Sequence, residues 1–346
     1  MKVAKLLTPK ERLKLALLRE KVDRPPCICP GGMMNMIVED IMDITGCKWP
    51  EAHRDARLMA ELSAGVCENG GFENFGVPFC MTVEAEAMGA EVFLGTKINE
   101  PRVTKYVINS VSEWTKLKKL KIDEGRVKTV IDAIKILKEK NNEVPIVANL
   151  TGPISLAASL MEPVNFYKEI IRKPSEAHKL MEFVTENLIE FGKAQLMAGA
   201  NVLAISDPSA TGEILGPASF RKFAVPYLNK IVDALKQYAD TGVIIHICGR
   251  LKSIYEELNS LNSDAISFDS ITSVREVSEN VSNKAVMGNV STFTLENGTR
   301  ESIKVQALNC LDSGVNILSP ACGIGPKTKF DNIKAMLDVV KFKEAD

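Results

Sequence analysis

Two patterns of apolar residues alternate along the chain. Short, nearly uninterrupted apolar runs stand at 27–30 (CICP), 145–150 (PIVANL), 202–206 (VLAIS), 243–248 (VIIHIC), 265–269 (AISFD), 285–290 (AVMGNV) and 315–319 (VNILS), with an eighth at 72–79 (FENFGVPF). Each reads as a buried strand. Between them, apolar residues recur at helical spacing over 50–68, 126–140, 175–198, 218–239, 250–261, 273–280, 299–313 and 330–342. This alternation predicts βαβ units, a parallel sheet and an α/β fold; about eight such units predict a closed (β/α)8 TIM-type barrel. An open doubly wound sheet is the alternative, but no G-x-G-x-x-G follows the first run.

Residues 1–24 read as an N-terminal helical extension. Thr8 can cap the helix, Pro9 suits its first turn and Glu11 completes a capping box. Leu13, Ala16 and Leu17 form its apolar stripe, and Asp23-Arg24-Pro25-Pro26 ends it. Segment 84–125 fits the alternation poorly and reads as an excursion. A hairpin is expected around TKINEPRVTKYVINS, where Val103, Tyr106 and Ile108 hint at strand. With no repeat, low-complexity stretch or Gly/Ser linker, 1–346 reads as a single barrel domain.

Composition narrows the function. The 346 residues are 45% hydrophobic and 25% charged, with a formal net charge of −1. That balance offers no argument for nucleic acid or an anionic membrane as partner. No apolar run reaches the length of about 18 residues that a membrane span needs. The start, MKVAKLLTPKERLKLALLREK, is too charged for a signal peptide, so a cytoplasmic protein is expected; no pattern fixes its oligomeric state, and a monomer or homodimer is the expectation. Clustered thiols in that setting more often bind metal or react than pair. The cysteines are Cys27, Cys29, Cys47, Cys67, Cys80, Cys248, Cys310 and Cys322; the histidines are His53, His178 and His246.

A barrel places its active site at the C-terminal ends of its strands. Those ends carry Asn149, Ser206, Asp207, His246, Cys248, Asp269, Asn289 and Cys322. His246 and Cys248, in HICGR, share a strand face about 7 Å apart along the chain. They are either a core histidine beside a buried thiol or a ligand pair. Cys322, in SPACGIGP, lies in a turn with no structural need for a thiol, and barrel closure is expected to bring the late strands side by side. His-Cys-Cys suits Zn²⁺ with one coordination position open. Asp269 is a partner of that site or a cap for the next helix. Cys27, Cys29 and Cys310 read as packing. His53 reads as a helix-end or surface residue, with a lining role as the alternative, and His178 as solvated. Two thiolate ligands would make zinc a poor source of hydroxide but a good host for a third thiol, so alkyl transfer to sulfur is the expected chemistry.

The chain resembles the uroporphyrinogen decarboxylase superfamily, and within it the corrinoid-dependent methyltransferases that methylate coenzyme M. The resemblance runs through LTPKERLKLAL, VDRPP, PGGMMNM, WPEAHRDA, ANLTGPISLA, ISDPSATGEILGPASFRKFAVPYLNKI, HICGR, GNVSTFTLENGT and SPACGIGPKTKFDNIKAML. Decarboxylases carry an arginine-rich, RQAGRY-like segment after the first strand, where this chain has PGGMMNMIVED; their GHGI-like turn is ACGI here. Both departures point to the methyltransferase branch. The resemblance implies zinc held by His246, Cys248 and Cys322, with Asp269 at an acidic position near the metal; Asp207, at its strand end, is a further catalytic or supporting candidate. It also implies a methyl–Co(III) corrinoid on a partner protein as donor, a thiol such as coenzyme M as acceptor, and Co(I) and a thioether as products. Met33, Met34, Asn35 and Met36, or a glycine turn leading into a buried helix start, would occupy the mouth beside Asn149 and Asn289. Competing readings are the same demethylation with another thiol or tetrahydrofolate as acceptor, a decarboxylase-like lyase, and a non-catalytic corrinoid-binding protein.

Overall fold

The computed structural model describes residues 6–342. Its strands, in chain order, are β1 (Phe75–Val77), β2 (Glu91–Phe93), β3 (Arg102–Lys105), β4 (Ile146–Thr151), β5 (Val202–Ser206), β6 (Gly242–Ile247), β7 (Ala265–Phe268), β8 (Ala285–Val290) and β9 (Ile317–Pro320). Seven pair in parallel in the order β1-β4-β5-β6-β7-β8-β9, while β2 and β3 form a separate antiparallel pair. Every residue of β4, β5, β6, β7, β8 and β9 is buried, as expected where helices cover a parallel sheet.

Residues 26–29 close this curled sheet into a TIM-type barrel. On one side the backbone does the work: Ile28 N–H donates to Leu318 O (3.1 Å) and Leu318 N–H to Pro26 O (2.9 Å). On the other side, side chains replace most of the ladder. Asn74 Oδ1 accepts from Cys29 N–H (3.0 Å) and Asn74 Nδ2 donates to Cys29 O (2.8 Å). Glu73 Oε2 accepts from Cys27 N–H (3.0 Å), while Glu73 N–H donates to Cys27 O (3.0 Å). The apolar run at 27–30 therefore contributes a bridge rather than a regular strand, and the run at 72–79 is strand only over β1.

The same Glu73 carboxylate binds Arg12 (3.3 Å) and Arg24 (2.9 Å), and Arg12 also grips Asp23 (2.7 Å). The Arg12 guanidinium holds the Asp23 carboxyl down to about 2. This cluster anchors the N-terminal helix Pro9–Leu17, which has the expected capping box between Thr8 and Glu11.

Most outer helices follow the apolar spacing, and the exceptions have local causes. The stretch 50–68 breaks into a short turn, Glu51–His53, and a helix, Ala56–Glu68, because Asp55 caps Arg57 and Leu58 N–H (both 2.9 Å). The stretch 218–239 is interrupted by a wide turn at Phe220–Ala224, after a kink at Gly216. Several helices lie outside the expected stretches, the longest being Pro153–Leu160 and Pro163–Arg172. The prolines of these two occupy first-turn positions, where a missing N–H costs nothing. The excursion is the expected hairpin shifted toward the N-terminus: β2 pairs with β3, and Tyr106 lies outside the strand, exposed. Among the described residues, no helix is long and apolar enough to cross a membrane.

The closing seam can be tested directly. Asn74 is completely buried, so Asn74→Ala leaves the N–H and C=O of Cys29 without partners. The expected destabilisation is about 2–4 kcal/mol, read by urea unfolding. A loss below about 1 kcal/mol, that of an ordinary exposed hydrogen bond, would show that the seam is held elsewhere.

Candidate metal and thiolate site

His246 occupies the last turnward position of β6 that still pairs with both neighbours. It is in register with Ser206 on β5 and Ser267 on β7, and Ser206 with Thr151 on β4. A polar layer thus ends an otherwise apolar wall. The imidazole is 1% exposed. Its Nδ1 lies 3.0 Å from Ser267 Oγ and its Nε2 3.1 Å from Cys248 Sγ. Cys248 sits just past the strand, and its Sγ is 3.8 Å from Cys322 Sγ. The three donor atoms all lie within 4.8 Å of one another.

Cys322 follows β9. Because β7 and β8 intervene between β6 and β9, the thiols meet across the barrel mouth, not from neighbouring strands as the sequence suggested. The turn that presents Cys322 is locked to PGGMMNM. Ile324 N–H donates to Asn35 O (2.8 Å) and Asn35 Nδ2 donates to Ile324 O (3.1 Å). Gly323 packs so closely on this segment that a Cβ would stand 2.4 Å from Met33 O. On its other flank the segment rests on Asn149: a Cβ on Gly32, whose φ is +62°, would come within 2.8 Å of the Asn149 side chain.

The two thiols differ in acidity. Cys322 is held well below the usual thiol range, chiefly by the hydrogen bond from Cys248, with His246 and the Gly323 N–H adding to it against burial. Cys248 is held high by donating that hydrogen bond, by burial and by the charges of Cys322 and Asp269. The pair therefore favours a single shared proton and one negative charge.

The remaining predicted residues divide by what they touch. Asp269 places its charge beside Cys248 and also caps its own loop, accepting from Ile271 N–H (3.1 Å) and Ser270 Oγ (3.3 Å). Met34 is buried with Sδ 3.6 Å from Ser267 Oγ, Met33 is half-buried and Met36 is fully buried; the chain there is not helical. Asn289 braces the Asp269 loop through Asp269 O (3.0 Å) and Thr272 O (2.8 Å). Thr272 Oγ1 in turn donates to Gly249 O (3.0 Å), tying that loop to HICGR. Asn149 donates to Pro30 O (2.9 Å) and Val77 O (3.0 Å), a brace across the seam. Asp207 is committed to the helix Pro153–Leu160, accepting from Ser155 N–H (2.7 Å), Ser155 Oγ (2.6 Å) and Ile154 N–H (3.1 Å). Burial outweighs those bonds and pushes its carboxyl up to about 6.

Three residues escaped the sequence reading. Ser267 orients the imidazole; its one signal was a lone hydroxyl inside an apolar run. Glu84 is buried and accepts from Thr151 N–H (2.8 Å) and Oγ1 (3.0 Å). Glu100 comes from the hairpin. Its carboxyl is pushed up to about 7, by burial first and then by the nearby Cys80 and Cys322. The excursion thus reaches the mouth, which nothing in KINEPR announced.

The other cysteines and histidines have structural surroundings. Cys27, Cys29 and Cys310 are buried as packing residues. His178 is not simply solvated: its Nδ1 is 2.6 Å from Tyr227 Oη and its ring stacks on Phe223. His53 is no surface residue. It is 1% exposed, its ring centroid is 4.9 Å from that of Trp49, and neither of its nitrogens has a hydrogen-bond partner among the described residues. A helical period places a side chain on a face but does not say what the loops beyond will cover.

A family model described as Uroporphyrinogen decarboxylase (URO-D) matches residues 8–342. The chain is 35% identical to the methylcobamide:CoM methyltransferase MtbA of Methanosarcina acetivorans, over 96% of this chain and 98% of that protein. It is 33% identical to the methylcobamide:CoM methyltransferase MtaA of Methanosarcina barkeri, over 95% and 96%. The solved structure of a methyltransferase from Methanosarcina mazei superposes with a TM-score of 0.91 at 33% identity, covering 98% of this chain and 100% of that one.

Burial makes His53 a pH reporter. Burial first, and then Arg126, lowers its pKa from 6.5 to about 3, so the folded protein keeps it neutral. The stability this protects is complete above pH 6.5 and is lost as pH falls toward 3. At pH 5 the loss is about 2 kcal/mol. His53→Leu should therefore lose about 2 kcal/mol less than the parent between pH 7 and pH 5 in urea unfolding. Equal losses would show that the ring titrates normally.

Proposed function

The chain belongs to the uroporphyrinogen decarboxylase family, and from that premise we propose that it is a methyltransferase moving a methyl group from a methylated corrinoid to the thiol of coenzyme M, with zinc held by His246, Cys248 and Cys322. The observation that carries this reading is the convergence of one imidazole nitrogen and two thiol sulfurs at the mouth of the barrel. The donor set suits zinc: Nδ1 of His246 is engaged by Ser267, leaving Nε2 toward the sulfurs, and three protein ligands leave one position for a substrate. Zinc bound there would supply a lowered pKa to the acceptor thiol while preserving its nucleophilicity.

The chain's own residues have defined tasks. Ser267 fixes the ring plane and tautomer of His246. Asn35 and Gly323 hold the Cys322 turn against Met33, and Thr272 and Asn289 hold the HICGR turn. Met34 presents a polarizable side chain beneath this layer. The methyl donor is a corrinoid carried by a partner protein, which must approach the C-terminal face of the barrel. The eight unpaired cysteines fit a reducing compartment such as the cytoplasm. A decarboxylase-type reading is disfavoured by the segment 30–38, PGGMMNMIV, which offers no arginine to grip substrate carboxylates.

The test combines metal analysis with loss of methylcobalamin followed at visible wavelengths. The parent should hold one zinc and demethylate methylcobalamin fastest with coenzyme M among a panel of thiols. Cys248→Ser and Cys322→Ala should each lose zinc and more than about 100-fold in rate, and Ser267→Ala about 10–100-fold. Retention of both zinc and full activity by either cysteine variant would sink the assignment.

A further inference from the structure

A cavity of about 900 Å³ lies apart from the thiolate cluster and shares no residue with it. Its walls are the helix Val83–Ala87, the segment 118–124, the first turn of the helix Gly125–Lys140, and Arg54. Five cationic side chains line it, Arg54, Lys118, Lys119, Lys121 and Arg126, against two carboxylates, Glu86 and Glu124. Lys121 pairs with Glu124 (2.6 Å) and Arg126 with Glu86. Five cations less two carboxylates leave an excess of three, and no ion pair to Arg54, Lys118 or Lys119 is found among the described residues.

Lysines on a convex surface are simply solvated. Here the charges converge on a concavity of small-molecule size, where self-repulsion is relieved by an anion rather than by distance. The Arg126 side chain, only 4% exposed, is fixed at one wall by Cys80 Sγ (3.3 Å) and Thr82 Oγ1 (2.9 Å), so part of the site is preorganised. The first helical turn, Gly125 to Val127, faces the same space with no side chain capping it, adding backbone N–H groups of the same sign. Val83, Ala87 and Val127 give the cavity an apolar side.

We propose that this cavity binds a phosphorylated organic anion of nucleotide size, its phosphates toward Arg54, Lys118 and Lys119 and its organic part toward Val83 and Ala87. Clustered phosphate oxygens satisfy several converging cations at once, which a single carboxylate cannot. Binding is non-covalent, and Lys118 and Lys119 take no part in the methyl-transfer site.

Calorimetric titration of the full-length protein with ATP, with inorganic pyrophosphate and with an acidic glutamate peptide tests this. ATP should bind saturably at one site, and pyrophosphate more weakly because it lacks the organic part. The double variant Lys118→Glu/Lys119→Glu, with an unchanged melting temperature and unchanged methylcobalamin demethylation, should bind ATP at least tenfold more weakly. Should that pair fail to fold, Arg54→Glu alone provides the same comparison. The proposal is overturned if ATP does not bind saturably, if the variants bind as the parent does, or if the acidic peptide binds as tightly as ATP.

Discussion

Every consequence of this fold passes through the seam at residues 26–29. A barrel has no edge only if its first and last staves meet, and the first stave opens at Pro26, which like Pro25 has no N–H to give. Backbone pairing with β9 satisfies one side. Glu73 and Asn74 satisfy the other, their side chains standing in for a ladder that the short β1 cannot extend. Buried backbone groups tolerate no omission here. Closure also fixes where β9 ends, and hence where Cys322 stands.

The thiolate cluster is a product of that closure. His246 and Cys248 come from one strand end, but Cys322 arrives from three staves away and is aimed by glycine and asparagine. Gly323 lets the turn sit against Met33, and Asn35 fastens it on both its backbone faces. Braces of the same kind hold the HICGR turn through Thr272 and Asn289. Soft donors converge, and a hydroxyl orients the imidazole from the layer in register with it. Such an arrangement has the donor set of a site that could hold a metal ion.

The chain distributes its buried polar groups by end. Where the seam begins, Arg12, Arg24, Asp23 and Glu73 form a paired cluster that serves the fold. Around the other end, Glu84, Asp207 and His53 are buried; hydrogen bonds offset the desolvation of the two carboxyls only in part, and the His53 ring is kept neutral by burial and Arg126. The hairpin β2–β3 adds Glu100 to that end.

Local patterning in the sequence decided the repeating strand and helix, the barrel class of fold and the N-terminal capping box, and it marked His246, Cys248 and Cys322 as metal-binding residue types at strand ends. Periodicity and residue chemistry are local properties and survive in one dimension. Asn149, Asn289 and Asp207 were visible as strand-end polar residues, yet only the folded chain shows that they brace loops and cap a helix. Ser267, Glu84 and Glu100 became legible only through register and a long excursion folding back. The same is true of His53, buried by loops whose course no helical spacing encodes. What the sequence determined was which chemistry could exist at the ends of strands; which groups point at one another across the mouth was decided by closure, because contacts between distant segments depend on how the barrel shuts.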